Sequence, residues 1–127
     1  MKTKLLHNYC QRQVGAIHDY KAEWNADRYL IGGKMFVMFH SDAAGRAILS
    51  LKCDPIRAEH LRREYEDIIP GYYMNKTHWN SIYLDATFPD DLWKNLIVHS
   101  YELIYSKLTK KVKEEIATEQ KSKEQIR

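Results

Sequence analysis

The sequence predicts a single α+β domain: a two-layer structure in which a twisted antiparallel sheet carries helices on one face. Three observations lead there. Amphipathic or capped helical segments stand at both ends and in the middle, with β-rich runs between them. Two of those runs flank Gly32-Gly33, a pair suited to a tight two-residue hairpin turn. The chain has 127 residues and is 44% hydrophobic, enough to bury one core without disulfides or a metal.

Element by element, KTKLLHNYCQRQV reads as a helix with Leu5, Leu6, Tyr9, Cys10 and Val14 on one face and Gly15 at its end. AIHDY suits an edge strand, and KAEWNAD a loop that folds Trp24 onto the core. DRYLIGGKMFVMFH is the hairpin; its apolar run Met35–Phe39 argues for a central strand covered on both faces. RAILSLK is a third strand. Asp54-Pro55 opens a helix, Asp as N-cap and Pro in the first turn, with Ile56, His60 and Leu61 inward and Arg57, Arg62 and Arg63 outward. SIYLD is another strand after the break at Pro70-Gly71. A last long helix follows Phe88-Pro89, with Asp90 and Asp91 at the positive end of its dipole; Leu92, Leu96, His99, Leu103 and Ser106, with Trp93, Ile97 and Ile104 beside them, give it a broad apolar face. Residues 1–108 make up the domain; 109–127, sparse in apolar residues, form a charged helical extension or a frayed tail.

Composition narrows the function. Residues 1–106 hold 13 Lys/Arg and 13 Asp/Glu, so the formal net charge of +3 comes wholly from the last 21 residues. A body with no overall basic excess binds anions only through a local patch. No apolar run reaches the length of a membrane span and no signal-peptide core follows the N-terminus, so a cytoplasmic location is expected. The two cysteines, Cys10 and Cys53, read as buried free thiols. Six dispersed histidines lack zinc spacing, no serine sits in a nucleophile elbow, and GGK lacks the remainder of a phosphate-binding loop. No catalytic residue, metal or cofactor is expected.

The stretch PGYYMNKTHWNS, residues 70–81, is the exception to this plainness. It offers Lys76 and His78 as donors to phosphate, Trp79 as a stacking surface and Asn80 as a partner for a base edge. The same residues would equally serve the fold, with the rings filling a gap between helix and sheet and the asparagines tying a turn.

GGKMF at 32–36, LKCDP at 51–55, PGYYMNKTHWNSIYLD at 70–85 and PDDLWKNLIVHSYELIYSKL at 89–108 resemble the MmcQ/YjbR family of small bacterial proteins. The resemblance spans about residues 3–110. It implies the fold of the bacterial frataxin homologue, a twisted antiparallel sheet with helices on one side, and a "double wing" protein commonly described as DNA-binding. By position it implies nucleic-acid contacts from Lys34, Lys52, Lys76, His78, Trp79 and Asn80, making a weak, salt-dependent, non-catalytic interaction. Many members carry Tyr-Pro-Phe-Gly where this chain has Tyr20-Lys21-Ala22-Glu23. Iron binding of the frataxin kind relies on acidic residues in the first helix and edge strand, and the helix KTKLLHNYCQRQV has none. The alternative function is a protein-interaction domain using Tyr72, Tyr73, Met74 and Trp79, or the C-terminal helix, with self-association left open.

Overall fold

The computed structural model describes residues 2–126, and side chains through residue 123. The elements run α1 (Lys2–Gln11), β1 (Ile17–Lys21), a single 3-10 turn (Ala22–Trp24), β2 (Ala26–Ile31), β3 (Lys34–Ser41), β4 (Ala47–Lys52), α2 (Pro55–Glu64), β5 (Ile68–Pro70), β6 (Trp79–Tyr83), α3 (Asp90–Ser106) and α4 (Lys110–Ile126). The six strands form one sheet in the order β1-β2-β3-β4-β6-β5, every neighbouring pair antiparallel. The α+β architecture read from the sequence is the one observed. No helix among the described residues is long and apolar enough to cross a membrane.

The hairpin between β2 and β3 turns on Gly32 and Gly33, at φ of 57° and 79°, the left-handed pair that matches the twist of two antiparallel strands. Asp54 caps α2 by accepting from the Arg57 N–H at 3.2 Å.

A register shift between Tyr29 and Leu30 places an extra residue in β3: Tyr29 pairs with Val37 but Leu30 with Met35, leaving Phe36 as the bulge. Strict alternation therefore breaks. Phe36, Val37 and Phe39 join the core with Tyr29, Leu49, Leu51 and Ile82, whereas Met35, Met38 and His40 point to the other face. The Phe36 carbonyl, displaced by the bulge, accepts from the buried Ser100 hydroxyl at 2.6 Å, and Ser100 Oγ in turn accepts from the Lys52 N–H at 2.9 Å. One side chain of α3 thus satisfies backbone groups of two strands.

Several predicted faces are corrected. Of the broad α3 face, Trp93, Leu96, Ile97 and Ile104 are buried as expected and Ser100 joins them, but Ser106 is exposed, and Leu92, His99 and Leu103 are half-buried on the flanks. In α2 the inward residues are Ala58 and Leu61, while Ile56 is 71% exposed and His60 is exposed, because the helix packs by its i, i+3 edge against β5 and β6. Val14 lies beyond the end of α1 and is exposed. Trp24 is 54% exposed rather than folded onto the core. Arg62, expected outward, is half-buried and tied to β6.

Segment 109–127 begins as a separate helix after a break at residues 107–109. Ile116 belongs to the core cluster and Val112 packs against it. A methyl group at Gly32 would meet Leu108 at 2.8 Å and Val112 at 3.0 Å; one at Gly15 would meet Ile116 at 2.8 Å. The α3–α4 junction therefore rests directly on the hairpin turn. Gly33, with the same backbone sign, has nothing within 4 Å. Gly33→Ala should cost about 1–2 kcal/mol from left-handed strain alone. Gly32→Ala should cost about 1–3 kcal/mol more from overpacking. Urea denaturation of the two variants checks this; equal costs would mean that Leu108 and Val112 do not sit on the turn.

Candidate functional site

All four helices cannot cover both faces of the sheet, and the face holding Met35, Met38, His40, Ser50 and Ser81 carries none of the helical core. What crosses it is the segment between β5 and β6. Tyr72 anchors that segment at two points: its N–H donates to Ser81 Oγ at 2.9 Å, and its hydroxyl accepts from the Ala43 N–H at 2.8 Å. The next residue, Tyr73, is held in left-handed backbone (φ 61°) with its ring 79% exposed and set edge-on to Tyr72 at 4.4 Å. Across the face stands Trp24, with Lys21 Nζ and the Arg28 guanidinium 5.3 and 5.7 Å from its ring centre. Between them lies a groove of about 590 Å³, lined by Trp24, Tyr73, Met74, Met35, Met38 and His40, with Glu23 and Ser41 at its margin.

Under the groove runs a buried polar ladder across three strands. His40 Nε2 meets Ser50 Oγ at 2.7 Å, and Ser50 Oγ meets Ser81 Oγ at 2.6 Å. His40 is only 9% exposed, and burial pushes its pKa down to about 4, so the imidazole is neutral at pH 7. Hydrogen-bond bookkeeping orients the ladder. Ser81 Oγ accepts from the Tyr72 N–H; the assignment that gives both serine protons an acceptor puts the Ser81 proton on Ser50 and the Ser50 proton on His40 Nε2. In the reverse direction the Ser81 proton would have no acceptor among the described residues. In that assignment the neutral ring carries its proton on Nδ1, which has no partner among the described residues.

The second feature is cationic. Lys34 begins β3, Lys52 ends β4 and Lys107 caps the C-terminus of α3, all at the hairpin end of the sheet. Burial, then the like charges of Lys107 and Lys34, hold the Lys52 pKa below its ordinary value. Among the described residues none of the three is in an ion pair. The negative end of the α3 dipole is the local compensation.

The residues predicted from sequence divide. Lys34 and Lys52 come together, and Trp79, half-buried, is the cross-strand partner of Lys52 on β6. Lys76 does not join them. Its ammonium donates to the Gly71 carbonyl at 2.9 Å, its own carbonyl accepts from Arg62, and it lines a separate hollow beside α2 with Pro55, Ile56 and Glu59. His78 is half-buried, and its carbonyl accepts from the Cys53 N–H. Asn80 is 1% exposed; its Oδ1 accepts from Arg62 Nε at 2.7 Å and its Nδ2 donates to the Ala58 carbonyl at 3.4 Å, so no end of it is left for a base edge. Asn75 closes the turn by accepting from the Thr77 and His78 N–H groups. Most of residues 70–81 thus fastens α2 to the sheet. Lys107, Trp24 and the methionine floor were not among the predicted contacts; the apolar run Met35–Phe39 was their only trace.

These features define an α+β protein with one helix-covered and one open sheet face and a cationic end. The YjbR family model matches residues 13–103, and the chain belongs to the YjbR family. It is similar to the uncharacterized protein YjbR of Escherichia coli (strain K12), 33% identical over 97 residues that cover 76% of this chain and 81% of that one. The uncharacterized protein YyaQ of Bacillus subtilis (strain 168) is 48% identical over 56 residues, 44% of this chain and 47% of that one. The crystal structure of Deinococcus radiodurans protein DR2400 superposes with a TM-score of 0.81 at 29% identity, covering 91% and 88% of the two chains. A Pseudomonas syringae protein shares the fold, with a TM-score of 0.71 at 22% identity over 81% of this chain and 98% of that one.

The ladder has a pH signature. In the unfolded chain His40 takes up its proton near its ordinary pKa of 6.5, in the folded chain only near 4. Its contribution is therefore complete above about pH 6.5 and is lost as pH falls towards 4, by up to about 3 kcal/mol. His7 and His99, both lowered chiefly by burial, act in the same direction. Urea denaturation between pH 7 and 4 should therefore show a steeper loss for the wild type than for His40→Gln, the difference isolating this one ring.

Proposed function

We propose that the chain is a non-catalytic nucleic-acid-binding protein that grips the phosphate backbone with Lys34, Lys52 and Lys107, with Trp79 packed beside Lys52. The observation that carries this reading is the convergence of three lysines without a carboxylate partner among the described residues. Gathering like charges costs free energy in the free protein, and a bound phosphate removes that cost. The body as a whole has no basic excess, so the contact is local and the affinity modest. The family resemblance points the same way. The competing reading, a protein-docking face built on Tyr72, Tyr73 and Met74, draws on the exposure of Tyr73 and Trp24 but leaves the lysines unexplained.

Fluorescence anisotropy with a labelled oligonucleotide between about 20 and 200 mM salt tests it. Neutralising about three phosphates gives a slope of log K against log salt of roughly −2 to −3. Replacing Lys34, Lys52 and Lys107 together by alanine should abolish most of that slope, while Lys76→Ala leaves it in place. A slope near zero for the wild type, or one that survives the triple substitution, overturns the proposal.

A further inference from the structure

The groove adjoins one member of the lysine cluster on the open face. Ser50, under its floor, lies two residues before Lys52 on the same face of β4, whereas Lys34, paired with the core residue Ile31, starts from the helix side of the sheet end. A strand of nucleic acid with a phosphate on Lys52 therefore has its next position over the groove. The walls are two large exposed rings, the floor is thioether and alkyl surface, and the buried His40 presents an unpartnered Nδ1–H. Glu23 supplies acceptor oxygens at the margin. Flat stacking surfaces with one donor and one acceptor match a planar heterocycle that carries both groups on its edge. The volume lies within the range of small-ligand sites. A base paired inside a duplex has its faces covered and its edge engaged, so only an unstacked base fits.

We infer that the groove on the open sheet face receives one unstacked base of a single-stranded nucleic acid, stacked against Trp24 and Tyr73 over Met38, with His40 Nδ1–H donating to an acceptor on the base edge. This rests on the backbone-binding reading above and names the form of nucleic acid that the site selects. Tyr73 adds independent support, since a non-glycine residue held in left-handed backbone with its ring in solvent is the kind of local strain that collects at ligand sites.

The test compares four labelled probes of equal length against the full chain: a single-stranded DNA, a single-stranded RNA, an abasic oligomer with the same phosphates, and a duplex. Single-stranded probe should bind about 5- to 100-fold more tightly than the abasic one, the range measured for stacking of one base. Trp24→Ala and Tyr73→Ala, both at exposed positions, should each bring single-strand affinity towards the abasic value while leaving the salt slope unchanged. Adding a free nucleoside monophosphate should quench tryptophan emission in the wild type and not in Trp24→Phe. His40→Asn, checked for folding by circular dichroism, should weaken the single-stranded probe and not the abasic one. If single-stranded, abasic and duplex probes bind alike with the lysine-dependent salt slope intact, the groove inference falls and the backbone reading stands. If nucleotide quenching requires Trp24 while the lysine substitutions change nothing, the groove inference stands and the backbone reading falls. Absence of both binding and quenching overturns both.

Discussion

The bulge at Phe36 and the serine that satisfies it set the rest of the molecule. An inserted residue in the middle of a central strand strands a carbonyl and opens a gap towards β4, and an unsatisfied buried carbonyl costs more than the hydrogen bond that would replace it returns. Ser100 fills that gap from α3, donating to Phe36 and accepting from Lys52. Three consequences follow. The helix is pinned over β3 and β4 at one height, so Trp93, Leu96, Ile97 and Ile104 become its inner face. Lys52 is held at the end of its strand beside the α3 C-terminus, which brings it to Lys107. And the alternation of β3 is shifted so that Met35, Met38 and His40 share the open face.

The two faces of the sheet then follow different physics. On the helix side, apolar burial dominates; polar groups there are closed in pairs, as with Asn80 between Arg62 and α2 or the Tyr29 hydroxyl on His7 Nδ1 at 2.7 Å, except the buried Trp93 Nε1, which has no partner among the described residues. On the open side a row of hydroxyls and one imidazole is buried under a single irregular segment, and the row ends in the His40 ring, which lines the groove. Polar networks of this kind hold their geometry because each member is costly to leave unpaired. The surface ion pairs, by contrast, secure local elements: Asp19 with Arg28 across β1 and β2, and Arg46 with Asp67 and Asp85, stacked 3.6 Å from the Tyr83 ring centre. Among the described residues no such ion pair reaches Lys34, Lys52 or Lys107.

Much of the fold was legible because its signals are local. Gly32-Gly33 and Asp54-Pro55 announce a turn and a cap that depend on two residues each. The six-stranded order was out of reach, since β5 is only Ile68–Pro70 and its pairing with β6 is a long-range event. The site was legible in part. Lys34 and Lys52 could be named because the resemblance aligned them, yet Lys107 could not, as its role comes from where α3 ends in space. Trp79 and Asn80 differ in fate only because successive strand residues point to opposite faces, and nothing in HWNS says which is which. Lys76 was lost to a turn whose asparagine turns its ammonium back on Gly71. Trp24 was misplaced for the reason that an aromatic ring on an edge turn has no sequence mark for which side it takes.

Tyr73 bears on the balance between robustness and use. Glycine occupies its backbone conformation freely, whereas tyrosine does so at a steric penalty and returns little by burial, with most of its ring in water. A chain shaped for endurance alone would place glycine there and lose nothing from its interior. Keeping the ring means that this loop trades a fraction of folding free energy for a fixed aromatic plane at the rim of the open face, where it is already in position before any visitor arrives.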